Sequence, residues 1–495
     1  MSTTLGTSQP LTRASSTEVR FWLDLLTICG FGLALRLLVA VVWLGSLPMH
    51  GDAADYFSEA VGLHEGTREA VAYYWPPGTT YLLATLFKFT GPSETAARVL
   101  MAVLGSLQIL VIGWLGRELT GQLRTGRVAA WIAALYPPVV LFTWQCGSQH
   151  LSAFCLTMVA LYGLRTWRFP SFKNVMLLGL TLGLGCLARP SMLSIVAAAP
   201  LLAAWLWFKW SCVPHEPEYG TGPMPQRPKL WVAAAAWAAA LTIAALCLAP
   251  TALYNARHGG GWTLSTNNER NFFIGNNPHT PWYKTGHMAQ RQLSELSPDA
   301  QTYLKAAYAA PNRRARMSQL AWEHIRQEPA LFVLRTANRA RAFWGFDYIA
   351  SRTYQASLKS AGESSGMLTK AKVGGLLLLE AGGYLAVMLL ATAGLLAGWN
   401  QQRSAIQWWL LGLTVMYAAP YGLAFAAGTY HFPVIGLLIP FAAIGWTTLA
   451  NGHGPQAFLT RVRQTFWQHR ATFWATCLLL AVQAEYLYFA VRYAD

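Results

Sequence analysis

Charge is what this chain has least of: 12% of its 495 residues are Asp, Glu, Lys or Arg. A soluble domain carries about 25%. That shortfall excludes an ordinary water-soluble globule of this length. Cysteine is also sparse. The seven, Cys29, Cys146, Cys155, Cys186, Cys212, Cys247 and Cys477, are scattered, mostly inside apolar runs, with no C-x-x-C. A zinc knuckle or disulfide framework is therefore not expected, and buried thiols are the simpler reading. The sequence has no Walker loop and no H-E-x-x-H, and neither a G-x-S-x-G nor a dinucleotide fingerprint in context. Nothing in it asks for a nucleotide. An A-x-A exit is missing after the first apolar run, which is too long for a cleavable leader and reads as an uncleaved anchor.

What is present is apolar length. Hydrophobic residues make up 54% of the chain, and the mean hydropathy is +0.31. A span needs about 20 apolar residues. Runs near 21–45, 96–116, 128–144, 149–166, 174–187, 190–208, 229–252, 373–398, 405–426, 431–450 and 471–492 give about eleven spans. The chain is thus expected to be an all-α polytopic membrane protein. The run 78–90 is too short to cross and carries Lys88; a re-entrant or interfacial helix is expected there.

The formal net charge of +16 does not point to nucleic acid, because the basic residues sit in short loops between apolar runs. Arg13 and Arg20, then Arg117, Arg124 and Arg127, then Arg165, Arg168 and Lys173, fall on one side if 78–90 does not cross. The positive-inside rule then sets a cytoplasmic N-terminus and an external C-terminus. The organisation expected is an N-terminal transmembrane module over 1–252, whose first external loop is 46–95. An external region follows over 253–372, then C-terminal spans over 373–495. Residues 313–328 place Met317, Leu320, Ala321 and Ile325 on one helical face; this suits a helix lying on the membrane, or equally an ordinary soluble-domain helix.

The candidate chemistry lies outside the membrane. Carboxylates at the mouth of a span are functional candidates by default. Asp52 and Asp55 follow the first apolar run directly, with Tyr56 between them and Glu59. A carboxylate facing a hydroxyl can take its proton during attack; the plainer alternative for Asp52 is an N-cap. Next, Tyr73-Tyr74-Trp75-Pro76-Pro77-Gly78 could hold a lipid or sugar face. Arg98 opens the following span and could grip a phosphate. The stretch 254–287 is rich in Gly and Asn and carries Arg257, His258, Arg270, Lys284 and His287. Freed backbone amides and cations suit an anionic headgroup, and Asn side chains such as Asn276 and Asn277 suit sugar hydroxyls. Arg189, Tyr430 and His431 stand at external ends of spans.

The order of these pieces resembles a known family, the GT-C membrane glycosyltransferases that use polyprenyl-phosphate sugars. The nearest group is that of the bacterial aminoarabinose transferase ArnT and the protein O-mannosyltransferases. The likeness rests on Gly51-Asp52-(x)3-Tyr56-(x)3-Ala60, Pro76-Pro77-Gly78, Ala97-Arg98-Val99-Leu100 and Gly116-Arg117-Glu118-Leu119-Thr120-Gly121. It continues through Tyr136-Pro137-Pro138, Leu187-Ala188-Arg189-Pro190, Tyr254-Asn255 with Gly261, Ser265-Thr266-Asn267 and Ile274-Gly275-Asn276-Asn277-Pro278. Ser148-Gln149 and Thr429-Tyr430-His431 depart from the Ser-Glu and Arg-Tyr-Arg patterns of that family.

The resemblance implies a GT-C bundle of about 11–13 transmembrane helices, with external juxtamembrane helices and one large external loop. It implies an inverting glycosyltransferase in a bacterial inner membrane with a periplasmic site. A polyprenyl-phosphate-linked sugar would be the donor, and a lipid, glycan or protein hydroxyl the acceptor. Asp52 would be the catalytic base. Asp55, Tyr56, Arg98, Arg189, Arg257, His258, Asn276, Asn277, Lys284, Tyr430 and His431 would bind substrate. No nucleotide or ATP is required, and Asp52 and Asp55 could share a divalent cation. Membrane lipids are partners and nucleic acid is not. The alternative is a transporter or flippase of lipid-linked glycans, which should show paired half-helices around a midplane site.

Overall fold

The computed structural model describes residues 10–49, 51–210, 229–283, 293–360, 366–397, 399, 404–451 and 455–492, and the described residues are helical with no strands. The helices are α1 (Pro10–Leu37), extended by a wide turn over Leu38–Trp43, α2 (Asp52–Glu65), α3 (Gly78–Thr90), α4 (Glu94–Thr120), α5 (Leu123–Leu135) and α6 (Pro137–Phe142). Then come α7 (Ser148–Arg168), α8 (Phe172–Ala188), α9 (Leu193–Trp210), α10 (Leu230–Arg257) and α11 (Asn268–Gly275). The rest are α12 (Pro298–Ala309), α13 (Arg313–Gln327), α14 (Pro329–Phe343), α15 (Ile349–Ser360), α16 (Met367–Leu396), α17 (Ser404–Leu423), α18 (Phe432–Leu449), α19 (Pro455–Val462) and α20 (Arg470–Arg492). Six helical segments among the described residues are long and apolar enough to cross a membrane, among them Ser16–Trp43, Glu94–Thr120 and Met367–Leu396. The chain is a multi-pass membrane protein.

Every apolar run expected to span is helical, but 128–144 is not one helix. It breaks between α5 and α6 because Pro137 lacks an amide proton and Tyr136 ahead of it is held extended. The break leaves carbonyls at the end of α5 without helical partners. Arg36 of α1 supplies donors: its guanidinium bonds the carbonyls of Ala133 (3.0 Å) and Ala134 (3.3 Å), and Gly32 of its own helix (3.1 Å). The one charge midway along the first span therefore faces neighbouring helices and caps a broken one.

One end of the bundle is basic. There Glu118 accepts from Arg165 (3.3 Å) and Arg168 (2.6 Å), Arg117 pairs with Glu18 (2.6 Å) and Arg127 with Asp24 (2.7 Å). The start of α2, the start of α7 and the end of α8 lie toward the opposite end, and these carry the candidate site. The short α3, 13 residues long, covers about 20 Å and cannot cross a hydrocarbon core of about 30 Å. Its Leu83, Ala84 and Phe87 pack with Tyr56 and Ala60 of α2.

Between α10 and α16, Met317 and Ala321 of α13 pack on Phe273 and Ile274 of α11 and on Leu304 and Ala307 of α12. That face is engaged within the protein, so of the two expectations for 313–328 it is the ordinary packed helix that forms. The next helix, α14, is inverted. Its Ala330, Val333, Leu334 and Ala337 face outward, while Arg335, Asn338 and Arg339 are buried. Arg339 bonds the carbonyls of Gly422 (3.2 Å), Leu423 (3.0 Å) and Gly275, and so ties α14 to the ends of α17 and α11.

The seat of α3 depends on Gly78. A Cβ there would come within 2.6–2.7 Å of backbone atoms of Leu187 and Ala188, which cannot move aside as a side chain could. Gly78→Val is expected to cost about 1–3 kcal/mol and to lower the melting temperature in detergent. Gly374→Ala, on α16 where nothing lies within 4 Å, should leave it unchanged or slightly raised.

Candidate active site

A cavity of about 320 Å³ opens where α2, the Trp75-Pro76 segment, the α8–α9 junction, α11 and the end of α17 converge, lined by Asp52, Tyr56, Arg189, Asn268, Tyr421 and Tyr430 among others. It lies at the small end of ligand sites, which run from about 300 to 1,000 Å³.

Asp52 is delivered by its neighbour. Gly51 has φ +53°, a backbone conformation that L side chains rarely adopt, and it makes the turn that starts α2. Gly51 occupies the N-cap and Asp52 is the first helical residue, so the capping alternative for Asp52 is not what forms. Burial pushes the Asp52 carboxyl above the usual aspartate range; Arg189 pulls it back, Asp55 adds to the rise, and Arg270 lowers it again. Burial likewise raises Tyr56 and Glu59 on the same helix.

Arg189 is the cation of the cavity. The residue before a proline is driven out of the helical region, and Arg189, ahead of Pro190, is extended (φ −147°) and ends α8. Its side chain is thereby turned out of the helix and into the cavity wall. It is 8% exposed. Its Nε donates to Ser148 Oγ (3.0 Å) and an Nη to Tyr421 Oη (2.9 Å), and the guanidinium lies 5.0 Å from the centre of the Tyr430 ring. Tyr421 also meets Ser191 (3.0 Å) and stacks on Tyr430 at 4.8 Å. Among the described residues no carboxylate lies within ion-pair distance of Arg189. A guanidinium this buried, held by hydroxyls and a ring face, favours an anionic ligand.

The third wall is stitched in place by backbone bonds. Tyr73 N–H donates to Asn255 Oδ1 (2.8 Å) and Thr266 N–H to the Tyr73 carbonyl (2.9 Å), which ties the Gly-rich loop to the aromatic segment. Arg314 of α13 pairs with Glu269 at 2.5 Å and so holds the first turn of α11.

Of the residues expected in the site, Asp52, Tyr56, Arg189 and Tyr430 meet at the cavity. Asp55 lies beside it, exposed, accepting from Trp75 Nε1 (3.0 Å). The others stand elsewhere. Arg98 bonds the carbonyls of Leu47 (2.9 Å) and Gly45 and pairs with Glu94 (2.8 Å). Arg257 is exposed near the end of α10. His258 stacks on Tyr254 and bonds its carbonyl (2.8 Å). Asn276 bonds the Phe272 and Leu423 carbonyls (3.0 and 2.9 Å), and Asn277 those of Phe273 and Ile274 (2.9 and 3.2 Å). His431 is buried behind Tyr430 against the Phe343 carbonyl (2.8 Å). Lys284 lies outside the described residues. Ser191, Tyr421, Phe425, Asn268 and Asn271 also line the cavity without having been singled out, and Ser148 and Asn267, named above only for their motifs, line it too; the three asparagines lie in the Gly/Asn-rich stretch noted above, whereas Tyr421 sits in an apolar run with no local signal.

A shared cation at Asp52 and Asp55 is poorly matched by this donor set. Asp55 is engaged by the Trp75 indole, and among the described residues no three His, Cys, Asp or Glu side chains gather as a metal site needs.

Residues 75–216 match the family model described as dolichyl-phosphate-mannose-protein mannosyltransferase, which covers less than a third of the chain and includes Pro76-Pro77-Gly78 and Arg189-Pro190. Two structures of the Archaeoglobus fulgidus oligosaccharyltransferase, one of AglB with an inhibitory peptide and a dolichol-phosphate and one in the apo form, are similar at 14% identity. Their TM-scores are 0.46 and 0.48, over 94% and 92% of this chain and 55% of each of theirs. The Saccharomyces cerevisiae protein O-mannosyltransferase Pmt1-Pmt2 complex bound to its sugar donor is similar at 16% identity and a TM-score of 0.39, over 50% of this chain and 35% of that one. The chain spans about half the length of the oligosaccharyltransferase. No curated protein matches. The matched stretch carries part of the ordered motifs that are similar to those of the GT-C membrane glycosyltransferases.

Arg98 is not at the cavity but clamps the 45–47 strap that leads to Asp52. Arg98→Ala is therefore expected to lower the melting temperature and kcat, with the KM for a lipid-linked donor little changed. A large rise in KM with unchanged stability would return Arg98 to a phosphate-binding role.

Proposed function

We propose that this protein is an inverting glycosyltransferase that moves a sugar from a polyprenyl-phosphate donor to an acceptor hydroxyl on the external face of the membrane. The observation that carries the reading is the pairing, in one cavity, of a carboxylate with raised proton affinity and a buried cation that has no carboxylate within ion-pair distance among the described residues.

Asp52 accepts the proton of the acceptor hydroxyl as its oxygen attacks the anomeric carbon. The bond from that carbon to the phosphate oxygen breaks from the opposite side, and the electron pair leaves with the polyprenyl phosphate. Arg189, with hydroxyls of Tyr421 and Ser148 beside it, faces the charge that develops on the leaving phosphate. The proton on Asp52 then passes to water. Asp52 is the one carboxylate among the described lining residues. That supports a single displacement, since a retaining route needs a second carboxyl group about 5 Å away to act as nucleophile. The external orientation is supported by the ion-paired basic cluster at the far end of the same helices.

General-base catalysis contributes about 10²- to 10⁴-fold. Asp52→Asn is therefore expected to lower kcat at least about 100-fold, with the melting temperature preserved. Wild-type turnover by the purified variant would refute the assignment. Transfer needs Asp52 ionised, so activity should rise with pH through a midpoint above the ordinary aspartate value of about 3.9. Asp55→Asn removes a like charge that raises Asp52, and the acidic limb of the pH–rate profile should move to lower pH. A limb that moves up, or stays, would mean that another group sets it.

A further inference from the structure

We infer that Asp347 and Glu380, two carboxyl groups outside the cavity, hold one proton between them at neutral pH, carried on Asp347 Oδ2, and that this proton fastens α15 to α16. The inference does not depend on the proposed reaction. Asp347 stands just before α15, and Glu380 lies midway along α16 and is 2% exposed. Both serve one helix start. Glu380 accepts from the Ala350 amide at Oε1 (2.8 Å) and from the Ser351 amide at Oε2 (3.2 Å). Asp347 accepts from the amides of Tyr348 and Ile349. The donors that the first turn of α15 leaves without helical partners are thus divided between two carboxyl groups. A Cβ on Gly428 would lie 3.2 Å from Asp347 Cα and Cβ, so the turn that carries Tyr430 to the cavity packs against the same residue.

Two carboxylates enclosed this closely do not both ionise without a cation between them. The cation that acts on Asp347 is Arg352, which is exposed on α15. The other polar groups around the pair are engaged. Tyr384 of α16 donates to the Trp344 carbonyl (2.7 Å), His431 bonds the Phe343 carbonyl (2.8 Å), and on α20 Glu485 pairs with Arg341. Hydrogen bonding then places the proton. Both Glu380 oxygens accept amides, which favours the ionised form. Asp347 Oδ2 is buried and has no partner among the described residues. Tyr136, 2% exposed, also has a hydroxyl without a partner and feels the charge of Asp347, so it offers an acceptor for a proton there. Burial pushes the Asp347 carboxyl up to about 7, against the pull of the two amides and Arg352. The ordinary aspartate value is about 3.9. A carboxyl raised in the folded state stabilises it fully below the ordinary value, and that stability is lost as pH rises through about 7.

The test is melting temperature and hydrogen exchange at the amides of 348–351, on the purified full-length protein across neutral pH. In the wild type the melting temperature should fall as pH rises through about 7. Opening of these amides, corrected for the intrinsic pH dependence of exchange, should increase by up to about tenfold per pH unit above that point. Asp347→Asn, a neutral isostere of the protonated acid, should flatten both profiles and keep the stability of the acidic side. Glu380→Gln turns an amide NH₂ toward two backbone donors and should lower the melting temperature at every pH. Opening that does not change with pH in the wild type overturns the inference without recourse to a variant. A wild-type profile no steeper than that of Asp347→Asn also overturns it. So does a tolerated, flattened Glu380→Gln beside a destabilised Asp347→Asn, which would put the proton on the other carboxyl group.

Discussion

A guanidinium buried at the edge of a membrane bundle, with no carboxylate within ion-pair distance among the described residues, is the constraint around which this structure is arranged. Arg189 is held by Ser148, Tyr421 and the face of Tyr430, from three different helical segments. Hydroxyls and a ring soften the cost of burying a cation but do not neutralise it. Its nearest functional counterpart is Asp52, which shares the cavity and whose proton affinity it lowers. Neither group sits comfortably alone. Together they make a site that favours an anion on one side and a proton on the other.

The helices place that pair through their breaks. Pro190 turns Arg189 out of α8, Gly51 turns Asp52 into α2, and Pro137 ends α5 where Arg36 can cap it. Each interruption frees backbone groups that something must satisfy. The buried arginines do much of this: Arg36 caps α5, Arg98 straps the approach to Asp52, and Arg339 joins α14 to α11 and α17. Arg98, which looks like a phosphate-binding candidate in the linear sequence, is in the folded chain a donor to backbone carbonyls, as Arg36 and Arg339 are.

That division explains what could be read in advance. The spans were legible because hydrocarbon thickness sets a length that hydropathy can measure. Asp52 and Arg189 were legible because charge at a membrane edge is costly and rarely idle. Asn276, Asn277, Arg98 and His431 share that chemistry and the same neighbourhood, yet they are engaged by backbone carbonyls. No sequence feature distinguishes a polar group that closes the fold from one left open to a ligand. Tyr421 was invisible for the opposite reason: it reads as one more aromatic in an apolar helix, and only the approach of α17 to the end of α8 makes its hydroxyl a partner of Arg189. The short helix over 78–90 was foreseeable from its length, whereas the packed face of α13 depended on partners in α11 and α12 that lie outside its own sequence.

The most direct measurement is an experimental structure of the full-length protein in a lipid nanodisc with a non-hydrolysable polyprenyl-phosphate sugar bound. The account predicts the phosphate within hydrogen-bonding distance of Arg189, and the anomeric carbon open to Asp52 on the side away from the phosphate. A phosphate bound instead at the opposite end, among Arg117, Arg165 and Arg168, or a sugar lying away from Asp52, would contradict it.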